Sequence, residues 1–135
     1  MKASVSYQEL QKLVTEQTQQ PLSFEFVDQK TIKVLYEINL GIMKKKVGVD
    51  LRVLEVIGTD LRVRYSGGFG MEGLVRMALN LVKDKFPTGF MEEPSQNELL
   101  FHLDKIEKLQ PVFERIDVKD VNMLTEALEV VGDFK

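Results

Sequence analysis

Gly68, Gly70 and Gly73 stand in the spacing G-x-G-x-x-G inside the stretch LRVRYSGGFGMEGLVRMAL, residues 61–79. A strand-like segment precedes them and a helix-like segment follows. Glycines at such a corner let backbone N–H groups approach a phosphate at a helix N-terminus, where unpaired donors and the helix dipole favour an anion. Glu93 lies 20 residues past Gly73, the place of a ribose-binding acid. Four features oppose a nucleotide site. The preceding strand alternates, with Arg62 and Arg64 outward, whereas a dinucleotide-binding strand is apolar on both faces. The strands before it are joined by tight turns, so no parallel βαβ unit forms. Glu93 sits in a Pro-flanked loop. No Gly-Lys-Ser/Thr follows, so a Walker-type loop is absent. The glycines are therefore expected to serve geometry. Gly67 and Gly68 supply positive φ at a strand-to-helix corner, and Gly70 and Gly73 let the helix start close against the sheet.

His102 is the only histidine. Glu98 and Asp104, the acids weighed as its partners, show no ligand spacing. The chain has no cysteine, which excludes disulfides, thiolate metal sites and cysteine nucleophiles. A serine triad would have to recruit His102, and no G-x-S-x-G elbow is present. Glu92 and Glu93 are paired carboxylates, but they lie in a loop and read as solvated. His102 is expected to bridge strands. No catalytic residue, metal ligand or cofactor is assigned, and a small enzyme using His102 is the least favoured reading.

The chain carries 18 basic and 21 acidic residues, a net charge of −3, which opposes nucleic-acid binding. Lys44, Lys45 and Lys46 open the longest strand candidate. With Arg52, Arg62 and Arg64 they form an outer-face patch able to meet anionic head groups in a peripheral membrane contact. The competing reading is a solvated sheet face whose lysines block edge aggregation. Met43, Met71, Met77 and Met91 suit an adaptable apolar pocket or plain core filling. No run approaches the roughly 18 apolar residues that span a bilayer. The N-terminal MKASVSYQELQKLVTEQTQQ has no continuous apolar stretch, so the chain as written is expected to be cytoplasmic, or in the envelope if it is a processed form.

These residues must be placed by elements. A length of 135 residues predicts one domain, 1–135. Residues 5–17 read as a helix with Ser6 as cap and Glu9 three residues on. The period then changes to two. Leu22, Phe24 and Phe26 share a face. In TIKVLYEINL, Ile32, Val34, Tyr36, Ile38 and Leu40 alternate with polar residues, and only Leu35 breaks the rule. Val47, Val49, Leu51 and Val53 keep one phase along residues 43–57, and a slip near Leu54 suggests a bulge. Gly58–Asp60 turns into LRVRY, completing a four-strand meander. Residues 70–86 form the strongest helix, apolar over most of its circumference, with Glu72, Arg76, Asn80 and Lys83 on one narrow stripe. NELLFHL is read as a strand and Asp104–Glu114 as a short helix, against a helix from Ser95 to Gln110. Strands near 113–121 and 124–134 close the chain. The fold class is α+β: an N-terminal helix, a long curved antiparallel meander wrapped around a central apolar helix, and further C-terminal strands.

The segments KVGVDLRVLEVIGTDLRVRYSGG (46–68) and FERIDVKDVNMLTEALEVVGDF (113–134) are long alternating strands, the first crossing a turn that reads Gly58-Thr59-Asp60-Leu61. In this patterning, over about two-thirds of the chain, the sequence resembles the tubular lipid-binding (TULIP-type) domains, and among them the small bacterial phospholipid-binding LmeA-like proteins. The resemblance transfers no site residue, and the chain departs from that family in lacking an export signal. It implies a lipid or other long apolar ligand held between curved sheet and helix. The expected lining is Phe24, Phe26, Tyr36, Met71, Val75 and Leu79. A protein-interaction or assembly module with a filled core is the alternative.

Overall fold

The structure, a computed structural model, describes residues 1–18, 22–39, 41–67 and 71–135; at 17, 18, 38, 39, 45, 71, 74, 77, 78, 81, 82 and 108 it describes the backbone and not the side chain. Gly68 and Gly70 therefore lie outside the described residues, as do the side chains of Met71 and Lys45.

β1 (Lys2–Ser6) runs directly into α1 (Tyr7–Thr18). The Ser6 hydroxyl accepts the Glu9 N–H at 3.1 Å, which satisfies one of the unpaired donors of the first turn as the capping pattern predicts. Four strands follow in chain order: β2 (Leu22–Asp28), β3 (Thr31–Asn39), β4 (Lys44–Ile57) and β5 (Asp60–Gly67). Then come α2 (Met71–Lys85), the two-residue β6 (Met91–Glu92) and β7 (Glu98–His102). Two short 3-10 turns lead into α3 (Gln110–Arg115), and β8 (Ile116–Met123) and β9 (Ala127–Phe134) close the chain.

The strands form two antiparallel sheets. Six pair in the order β2-β3-β4-β5-β7-β6 and three in the order β1-β9-β8. This is an α+β domain with a curved meander and a helix packed on it. The N-terminus differs from the sequence reading, because a strand precedes the helix. Lys2, Ala3 and Ser4 are exposed and carry no apolar period. β1 exists through its ladder to β9, from Lys2↔Val131 to Ser6↔Ala127, which pairs backbone groups that would otherwise lack partners.

Register puts the period-two apolar residues on one face. Tyr36 lies opposite Leu22 and Val47, Val34 opposite Phe24 and Val49, and Val63 opposite Val53 and Leu99. The slip anticipated near Leu54 is a bulge: Val53 pairs with Val63 and Glu55 with Arg62, leaving Leu54 unpaired. Gly58, at φ +61°, opens the two-residue turn between the Ile57↔Asp60 pair, a position that favours glycine. Leu35, the one apolar residue out of phase, sits on the outer face beside Gly48. A Cβ on Gly48 would stand 3.1 Å from its Cδ2, so the missing side chain makes room for Leu35.

Three apolar clusters cover the inner face. Tyr7, Ile32, Val53, Val121 and Met123 join the two sheets to the start of α1. Val47 and Val49 pack with Tyr36, Tyr65 and Val75. Val63, Leu79 and Leu99 pack with Val75, Met91 and Phe101. α2 thus sends Val75 and Leu79 onto the sheet, while Glu72, Arg76, Asn80 and Lys83 face solvent on the predicted stripe. The Lys30 ammonium fastens the sheets by donating to Asp120 Oδ1 at 2.6 Å, Asn122 Oδ1 at 2.7 Å and the Val121 carbonyl at 3.2 Å. That bond holds the Asp120 carboxyl below its ordinary pKa.

The segment 95–110 follows the strand reading of NELLFHL, and the helix expected from Asp104 to Glu114 is two 3-10 turns followed by α3. The Ser95 hydroxyl donates to the Glu98 carboxylate, side chain to side chain, which is not the backbone-directed pattern of a helix cap. Asn97 takes φ +63° and turns the chain into β7. The closing strand expected from residue 113 begins at Ile116, because Phe113–Arg115 belong to α3.

Candidate functional site

Two places gather side chains capable of recognition: a histidine held between carboxylates and a groove at one end of the meander.

The histidine lies at the end of β7. Register sets His102 directly opposite Asp60, the first residue of β5. β6, paired with β7 on the other side, brings Glu92 across. His102 Nδ1 lies 2.7 Å from Asp60 Oδ1, and Nε2 lies 2.7 Å from Glu92 Oε2. The hydrogen bond to the Glu92 carboxylate, then that to Asp60, raises the histidine pKa above its ordinary value. A protonated ring donates at both nitrogens to two acceptors. A general base needs one nitrogen free to face a substrate, and here both are engaged. The arrangement is a hydrogen-bonded clasp joining β5, β6 and β7. Glu92 is a partner in it while remaining exposed, as is Glu93, in keeping with the sequence reading of both as solvated. Among the described residues no group of three or more acids and histidines is able to hold a metal ion.

The clasp has a pH signature. A group whose folded pKa is raised stabilises the fold fully below its unfolded pKa, 6.5 for histidine, and loses that contribution as pH rises through the raised value. Thermal melting of the chain and of His102→Gln, followed across that interval, should show the two converging as pH increases. A constant difference between them would mean that the imidazolium contributes nothing.

The groove measures about 400 Å³ and is lined by Gln11 of α1, Leu22 and Ser23 of β2, Leu35, Tyr36 and Glu37 of β3, and Lys44 and Lys46 of β4. That size falls within the range of small-molecule sites, ~300–1,000 Å³. A second hollow, about 260 Å³ between Lys83 and the loop Pro87–Met91, falls below it. Leu22 and Tyr36 border the groove from the inner face of the sheet, and Leu35 borders it from the outer face. Lys44, Lys46 and Glu37 give it a polar rim, with Lys44 Nζ 3.6 Å from Glu37 Oε1. Among the described residues no ion pair engages Lys46.

The lining residues expected from sequence are distributed over the core. Tyr36 lines the groove. Phe24 packs on the cluster between the sheets, Val75 bridges the other two clusters, and Leu79 is buried with Val63 and Leu99. Phe26 is 42% exposed at the irregular end of β2. Among the described residues no side chain of α2 reaches the groove. It lies where α1 meets β2–β4, and Gln11, Ser23 and Leu35 carry no sequence signal for it.

The expected cationic patch is a mixed-charge face. Arg52 lies 3.6 Å from Asp28, Arg62 3.6 Å from Glu55 and Arg64 3.8 Å from Glu98. Register explains two of these pairs, because Glu55 stands opposite Arg62 and Glu98 opposite Arg64. Lys44 and Lys46 stand apart from these arginines, at the far end of β4.

Compared with models of protein families, with curated proteins and with solved structures, the chain shows no match. No helix among the described residues is long and apolar enough to cross a membrane.

Proposed function

We propose that the chain is a non-catalytic binding module for a lipid or another amphiphile with an apolar tail and an anionic head. The observation that carries this reading is the groove, which brings the apolar Leu22, Leu35 and Tyr36 and the basic Lys44 and Lys46 to one place at the end of the meander. Burying a tail there contributes roughly 25 cal/mol per Å² of apolar area before ordering costs. The lysines add attraction for a phosphate or carboxylate head group. The likeness in strand patterning to the tubular lipid-binding domains supports the same reading. The seat proposed for the ligand is the groove at α1 and β2–β4, where the sequence reading expected one between the sheet and α2.

Ser23→Trp tests it. Ser23 is half-buried and lines the groove, so an indole there fills the ligand's volume and leaves the core untouched. Displacement of a fluorescent fatty-acid probe by lysophosphatidylglycerol should be measurable for the unaltered chain and weakened on the order of a hundredfold in the variant, about 2.7 kcal/mol, at unchanged melting temperature. Equal affinity in both proteins rules the groove out as the seat.

A second reading, assembly through strand addition, is favoured by one observation. β2 is an outer strand of its sheet, with Phe26 and Val27 each 42% exposed.

A further inference from the structure

The turn between β3 and β4 carries two of the most exposed apolar side chains of the molecule. Ile42 is fully exposed, and Met43 is 66% exposed. Gly41, at φ +87°, precedes them, and Lys44, Lys45 and Lys46 follow directly. β3 and β4 are paired out to Asn39↔Lys44, so the apolar residues stand on the end of a braced hairpin. Isolated exposed apolar residues are ordinary. Two neighbours at a hairpin tip, backed by three consecutive lysines, are the combination that peripheral membrane attachment requires, since neither a short apolar insertion nor a few charges suffices alone.

We propose that the β3–β4 tip docks on an anionic lipid surface, with Ile42 and Met43 entering the acyl boundary and Lys44 and Lys46 meeting the head groups. Charge complementarity selects this occupant. The chain as a whole has a net charge of −3, so its body is repelled by an anionic membrane while the lysine-flanked tip is drawn to it. The opposed forces orient the molecule tip-down. Lys44 and Lys46 also line the groove, which places the groove's rim at the membrane. This inference deepens the lipid-binding proposal by naming the surface from which the groove is loaded, yet it rests on the tip's exposure and charge.

Flotation with phosphatidylcholine vesicles, with and without phosphatidylglycerol, tests the proposal. Binding is expected with phosphatidylglycerol present and is expected to fall at least tenfold in its absence, given the attraction of each lysine to an anionic surface. Ile42→Ser combined with Met43→Ser should abolish vesicle binding at unchanged melting temperature, because both side chains are in water in the free protein. The same double variant should retain whatever uptake of monomeric lysophosphatidylglycerol the unaltered chain shows, which separates failure of docking from failure of the groove. The chain has no tryptophan, so Ile42→Trp offers a single reporter whose emission should shift to the blue on anionic vesicles. The proposal is overturned by equal binding to both vesicle types, by binding that survives the double substitution, or by an Ile42→Trp emission that stays solvent-like on vesicles. It is also overturned if the chain ignores vesicles and instead self-associates through Ile42 and Met43.

Discussion

Leu79→Asp should leave no folded protein. Leu79 is 3% exposed and touches Val63 and Leu99, with Val75, Met91 and Phe101 around that cluster. A carboxylate there is surrounded by apolar side chains. Burying a charge without a partner costs several kcal/mol even after its pKa rises. Domains of this size are stable by ~5–15 kcal/mol, so the loss approaches the whole. Expression should give insoluble or molten material, read from lost near-ultraviolet dichroism and a missing cooperative melt. Arg76→Asp, on the exposed stripe of the same helix, should cost under about 1 kcal/mol. A cooperative, near-native melt for Leu79→Asp would mean that α2 does not depend on its sheet contact.

Gly132→Ala should lower stability by about 1–3 kcal/mol, the range for overpacking a close-packed interior. Gly132 is buried opposite Val118 in the β8–β9 pair. An added Cβ would stand 2.6 Å from the Asp117 carbonyl oxygen and 3.2 Å from Val118 Cα. Both obstacles are backbone, so the strands themselves must part. The strain would reach the first residue of the chain, since the Met1 ammonium donates to the Gly132 carbonyl and the Gly132 N–H to the Met1 carbonyl. The sign is decisive. At an unconstrained site, glycine to alanine stabilises by about 0.4–1 kcal/mol through the unfolded chain. A rise in melting temperature would show that β8 and β9 tolerate the extra atom.

Much of this architecture is legible in the sequence alone, and the reasons are local. Period-two runs over β2–β5 and the phase slip at Leu54 report strands and a bulge because each is written in neighbouring residues. The stripe Glu72–Arg76–Asn80–Lys83 reports the solvent face of α2 in the same way. What escapes depends on pairing between distant segments. β1 is polar and short, and only β9 gives it a reason to be a strand. The two acids on His102 come from Asp60 and Glu92, which register brings together and sequence spacing does not. The arginines of the outer face look like a cationic patch until Glu55, Glu98 and Asp28 are placed beside them. The groove is the furthest case, because Gln11 on a helix meets Ser23 and Leu35 on strands whose patterns answer to other partners.

Native mass spectrometry of the chain incubated with lysophosphatidylglycerol tests the central claim most directly. The account predicts one adduct per chain that saturates at that stoichiometry and is absent from Ser23→Trp. A bare protein mass, or a ladder of adducts identical in the two proteins, would contradict it.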